Sequence, residues 1–102
     1  MKSLSELKSI VLNALDDTIL YEVETSIDTD GGYYFSSLED AFNYLSRVIK
    51  AQTNTELFEC EDFEKIDYIQ VTIHFSDNNN ENMILLSYVR KNDTEFIETV
   101  LI

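Results

Sequence analysis

Thr18-Ile19-Leu20-Tyr21-Glu22-Val23-Glu24-Thr25-Ser26-Ile27-Asp28 is the stretch on which the fold turns. Ile19, Tyr21, Val23, Thr25 and Ile27 fall on one face of an extended chain, and Leu20, Glu22, Glu24, Ser26 and Asp28 on the other. Alternation sustained over eleven residues predicts a strand with one face toward a core and one toward water. Asp30-Gly31-Gly32 follows. Only two glycines occur in the chain, so this pair predicts a tight turn that needs positive φ. Tyr33-Tyr34-Phe35 then returns as a short second strand.

Helical spacing flanks this hairpin. On its N-terminal side Ser3 and Glu6 form a capping-box pattern. Leu4, Leu7, Ile10, Val11, Ala14 and Leu15 continue at a period near 3.6, which predicts an amphipathic helix over residues 3–16. On the other side Ser36 and Glu39 repeat the capping-box pattern. Leu38, Ala41, Phe42, Leu45, Val48 and Ile49 predict a second helix over about 37–51.

Residues 52–65 are the least regular part: acidic, but carrying Leu57, Phe58 and Phe63. The last third predicts a three-stranded meander. Ile69, Val71, Ile73 and Phe75 alternate, Ser76 to Asn82 is a polar loop, Met83 to Val89 is apolar on both faces, Lys91-Asn92-Asp93 turns, and Phe96 to Ile102 closes the sheet. The expected architecture is α+β in the order αββαβββ, an antiparallel sheet with two helices on one face. No repeat and no boundary divides the chain, so residues 1–102 are expected to form one domain.

Charge narrows the classes of function. Twenty Asp and Glu against seven Lys and Arg give a net charge of -13. Such a protein repels nucleic acid and anionic membranes and attracts basic protein surfaces. With 44% apolar residues it is too hydrophobic for a disordered acidic tail. Cys60 is the sole cysteine, which excludes an internal disulfide and points to a reducing compartment. Met1 to Glu6 shows no apolar leader run, and no stretch approaches the length of a membrane span. The expectation is a cytoplasmic protein, in the bacterial host cytosol if a phage encodes it.

Catalytic and metal-binding sets are missing. His74, the single histidine, shares a strand face with Tyr68, Gln70 and Thr72 and has no second histidine for zinc. It is expected to be structural and partly exposed. Glu59, Glu61 and Asp62 beside Cys60 disfavour the reactive thiolate. No nucleophile elbow or phosphate-binding loop is present, and Asp77 to Asn82 lacks the glycine and terminal glutamate of a calcium loop. No enzyme, no cofactor and no metal site is expected.

The acidic surface is left as the candidate functional object. Alternate residues on a strand lie about 6.6–6.8 Å apart, close to the repeat of phosphates along a nucleic-acid strand. Glu22, Glu24 and Asp28 are thus expected to project as a preorganised row that fits a groove of Lys and Arg. They are expected to contribute more to binding than Asp77, Glu81 or Asp93. Glu39 and Asp40 at the start of the second helix add to the negative field. Glu56, Glu59, Glu61, Asp62, Glu64 and Asp67 form a further acidic run, with Glu59, Glu61, Asp62 and Glu64 as candidate contacts and Phe58 and Phe63 as candidate apolar anchors or as core residues. Between Asp16 and Asp67 there are 14 acidic and three basic residues.

Two segments carry a family resemblance. Glu24-Thr25-Ser26-Ile27, and Asp77 to Leu86 ending Glu81-Asn82-Met83-Ile84-Leu85-Leu86, resemble the Glu-Ser-Ile segment and the acidic hairpin with its following strand in the uracil-DNA glycosylase inhibitor family of DNA-mimicking phage proteins. Thr25 is an extra residue within the first match. The resemblance implies a carboxylate-bearing edge at Glu24 and Ser26. It also implies an apolar pocket, walled by Met83 and Leu85, that captures a protruding side chain of an enzyme. In size, charge and lack of catalytic motifs the chain is also similar to small acidic anti-CRISPR proteins. The expected function is a protein inhibitor that mimics nucleic acid and blocks the basic groove of a nucleic-acid-binding partner, without binding nucleic acid or membrane itself, as a monomer or homodimer. The alternatives are an immunity protein or antitoxin capping a nuclease toxin, and a phage structural or assembly protein.

Overall fold

In a computed structural model, residues 5–6, 9, 18–28, 30–75 and 82–101 are described. The alternating stretch forms β1 (Thr18–Thr25) and the Tyr-Tyr-Phe stretch forms β2 (Tyr33–Phe35). A 15-residue helix, α1 (Leu38–Gln52), follows, then a 3-10 turn (Thr55–Glu59). The chain ends in β3 (Tyr68–Phe75), β4 (Met83–Asn92) and β5 (Glu95–Val100). All neighbouring strands pair antiparallel in one sheet of order β2-β1-β3-β4-β5.

The expected order αββαβββ, with two helices on one face, is therefore corrected. Among the described residues one helix and five strands make a sheet-dominated α+β fold. The helix expected over 3–16 lies outside the described residues, apart from the exposed Ser5, Glu6 and Ser9. Among the described residues, part of the covering layer comes from Ile66, on the connection after α1. It joins Leu38, Ala41 and Leu45 of the helix in one apolar cluster with Val23, Ile69, Val71, Ile73, Leu85, Leu86 and Tyr88 of the sheet.

Local chemistry explains where the elements start and stop. Ser37, not Ser36, caps α1: its backbone is extended and its hydroxyl accepts a hydrogen bond from the Asp40 amide at 3.1 Å. That phase makes Leu38 the first helical residue and turns Leu38, Ala41 and Leu45 toward the sheet. In β4, Thr72 pairs with Ile84 and Val71 with Leu86, which leaves Leu85 as a bulge residue. The bulge buries Leu85 and Leu86 together, and so accounts for the unbroken apolar run.

The turn after β1 is wider than the glycine pair alone. Asp28 closes a first bend by accepting hydrogen bonds from the Thr25 amide and hydroxyl, at 2.9 and 3.0 Å. Gly31 then takes φ +102°. Gly32 presses against β1 so closely that a Cβ would collide with the Val23 carbonyl oxygen.

Candidate partner-binding surface

β1 lies inside the sheet, so its outward residues have neighbours on both sides. Glu22 stands opposite Tyr34 of β2 and Thr72 of β3. Its carboxylate accepts the Gly32 amide at 2.8 Å and meets His74 Nε2 at 2.7 Å. The residue is only 7% exposed. Burial pushes its pKa up, but the hydrogen bonds from Gly32 and His74, with the histidine's charge, outweigh burial and hold the carboxyl below its ordinary value. Next to it, the negative charge of Glu22 raises the pKa of the Tyr34 phenol. Glu22 is thus built into the hairpin and does not project into solvent as expected. His74 holds it there, partly exposed and with its ring 5.3 Å from that of Tyr34.

Glu24 lies two residues on, half-buried, opposite Gln70. Asp28 is half-buried and commits one oxygen to the Thr25 bend. The three carboxylates therefore do not form an even row. Nor is β1 a sheet edge, because β2 covers Tyr21 to Val23 and β3 covers the other side. Leu85, expected as a pocket wall, is fully buried in the core, whereas Met83 is exposed. Asp77 and Glu81 lie outside the described residues.

The connection between α1 and β3 is folded by two buried or half-buried polar side chains. Gln52 donates to the Glu64 carbonyl at 2.9 Å and accepts from the Ile66 amide at 2.9 Å. The Arg90 guanidinium reaches the Ile66 carbonyl at 2.8 Å, and the Gln52 carbonyl and side-chain oxygen at 3.0 and 2.7 Å. Phe58 and Phe63 stack with ring centres 5.3 Å apart, and the Lys65 ammonium sits 4.3 Å from the Phe58 ring centre. Both rings are half-buried, whereas Glu59, Cys60, Glu61, Asp62 and Glu64 are exposed.

This connection adjoins the end of the sheet where β1 finishes. The Ser26 amide donates to the Tyr68 carbonyl at 3.1 Å, and the Asp67 amide to the Ser26 hydroxyl at 2.8 Å. Lys65, beside that junction, is paired with Asp93 at 3.1 Å. The junction brings Asp67, three residues past the run Glu59 to Glu64, against Ser26, two residues before the turn acid Asp28. Glu39 and Asp40 begin α1 and are exposed. At 1.5 Å per residue they stand roughly 20 Å from the helix end at Gln52. The exposed carboxylates thus fall into two groups, or poles, one at the start of α1 and one on the connection that follows its end.

Three grooves or cavities accompany these surfaces. One of about 600 Å³ is lined by Phe35, Asp40, Asn43, Ser46 and Arg47. A second, of about 320 Å³, lies between α1 and the β4–β5 hairpin, beside the Tyr88–Glu98 hydrogen bond of 2.6 Å. A third, of about 250 Å³, opens between the turn after β1 and the C-terminal half of α1. No group of three or more His, Cys, Asp or Glu among the described residues is placed to hold a metal ion. No described helix is long and apolar enough to cross a membrane. No protein-family model, curated protein or solved structure matches the chain.

Proposed function

We propose that this protein is a nucleic-acid mimic that inhibits a nucleic-acid-processing protein by occupying its basic groove. The carrying observation is the excess of twenty acidic over seven basic residues, with exposed carboxylates held on a hydrogen-bonded scaffold at the Glu59–Glu64 pole. A groove of Lys and Arg that releases counterions to DNA phosphates releases them equally to such a surface. The candidate targets are a uracil-DNA glycosylase and a CRISPR-Cas effector, the latter making the protein an anti-CRISPR. Its setting is the cytosol of a bacterial host.

The test is capture of partners from bacterial lysate on the immobilised protein, followed by competition with duplex and single-stranded DNA. The expected result is a nucleic-acid-binding protein released by DNA and by rising salt. A partner that holds DNA and this protein together, without competition, overturns the mimic reading. Capture of one cognate nuclease toxin, with protection of cells against it, assigns the protein to the immunity class instead.

A further inference from the structure

We propose that the 250 Å³ cavity beneath Tyr33 and Tyr44 is a socket for one lysine or arginine side chain of the basic partner. The inference rests on the proposed partner class and names the chemistry by which that partner is gripped. The volume is smaller than the roughly 300–1,000 Å³ typical of metabolite pockets, so it suits a single side chain rather than a free cofactor.

Its walls match the two halves of such a side chain. Val48, Ala51 and Ile66 supply an apolar floor for the methylene stem. Tyr33 and Tyr44 line the cavity, packed on each other with ring centres 5.2 Å apart and tilted 57°, and so bring two aromatic rings to the place where a cationic head would sit. Asp28 lines it as well. Its Oδ2 is held by the Thr25 amide and hydroxyl, which fixes the carboxylate in place. Burial, then Tyr33 and the charge of Asp28, raise the pKa of Tyr44, against a smaller opposing effect of Arg47. Among the described residues no lysine or arginine lines the cavity. Arg47, a cation that acts on Tyr44, lines the separate groove with Phe35 and Asp40. Ile66 is flanked in sequence by Lys65 and Asp67, both exposed, and the Lys65 ammonium is paired with Asp93 at 3.1 Å.

The free protein tests this directly. N-acetyl-arginine methylamide and N-acetyl-lysine methylamide are titrated against isotope-labelled protein, with N-acetyl-norleucine methylamide as the uncharged probe of similar stem. Saturable resonance shifts confined to Tyr33, Tyr44, Val48 and Ala51 are expected for the cationic probes, with at least tenfold weaker binding of norleucine. Asp28→Asn keeps an acceptor for Thr25 and removes the charge. Tyr33→Leu alters an exposed ring. Each is expected to weaken the cationic probes about fivefold or more, whereas Asp30→Asn, which removes a charge outside the cavity, changes binding less than twofold. Equal binding of norleucine overturns the cationic assignment, and shifts spread over the acidic surface, or none at all, overturn the socket. None of these outcomes requires a partner, so they leave the groove-blocking reading to its own competition assay.

Discussion

Glu22 faces Tyr34 and Thr72 across its two neighbouring strands, and its carboxylate is shared between the Gly32 amide and His74. A sequence reading that sees only period two assigns it to water. The sheet order, which puts β1 between β2 and β3, removes it from water. Glu22→Gln is expected to cost about 1–3 kcal/mol at pH 7, because a charged acceptor of two hydrogen bonds becomes neutral. The folded carboxyl is depressed below its ordinary value of 4.5, so its contribution is complete above that value. It is lost as pH falls through the folded pKa. Urea unfolding of both proteins at pH 7 and below pH 4 measures this. The gap between them should narrow in acid, and an unchanged gap would assign the loss to packing alone. The adjoining glycines differ in kind. Gly32→Ala forces a Cβ into the Val23 carbonyl and is expected to cost about 3 kcal/mol. Gly31→Ala strains only φ and is expected to cost about 1 kcal/mol. The same urea unfolding at pH 7 ranks the two, and the reverse order would mean that the hairpin shifts to admit the methyl group.

At the scale of elements, legibility follows the range of the interactions. Alternation and turn residues are local, so β1, β2 and the three-stranded meander could be located from spacing alone, with ends a few residues out. The cap of α1 was displaced by one residue because Ser36 and Ser37 offer the same hydroxyl, and only the burial of Leu38 chooses between them. The connection over 54–66 was opaque because its order comes from Arg90, far along the chain. No local pattern announces a guanidinium that donates to Ile66 and Gln52 and packs 4.6 Å from the Phe96 ring centre. Arg90→Leu strips donors from those oxygens and is expected to destabilise the fold by about 2–4 kcal/mol. Arg90→Lys should recover little, since one ammonium cannot span the same acceptors. Hydrogen exchange should rise most at the Phe63 and Ile66 amides in both variants. Exchange rising equally in β1 and β3 would show that Arg90 supports the whole sheet rather than the connection.

At the scale of the whole molecule, the question is whether the net charge of -13 acts as a sum or as a pattern. A sum predicts that removing any two exposed carboxylates weakens partner binding alike. A pattern predicts a difference between the two poles, which lie at opposite ends of α1, a helix roughly 20 Å long and so well beyond the ~8 Å screening length at physiological salt. The Glu59–Glu64 pole rests on a connection whose backbone is tied down by Gln52 and Arg90, so that backbone needs no ordering on association. It also stands beside the stacked Phe58 and Phe63, which offer apolar contact. Glu39 and Asp40 occupy the first turn of α1, where helix-end stabilisation already accounts for acidic residues. The matched pair E61Q/E64Q and E39Q/D40N removes two charges from each pole with little change of shape. With a captured partner, calorimetric titration at low and moderate salt is expected to show about tenfold weaker binding and a shallower salt dependence for E61Q/E64Q. For E39Q/D40N the change is expected to stay within about threefold, with a slightly lower melting temperature from the weakened helix start. Equal losses in the two variants would mean that only total charge matters, and the assignment of the contact to the connection end would fall.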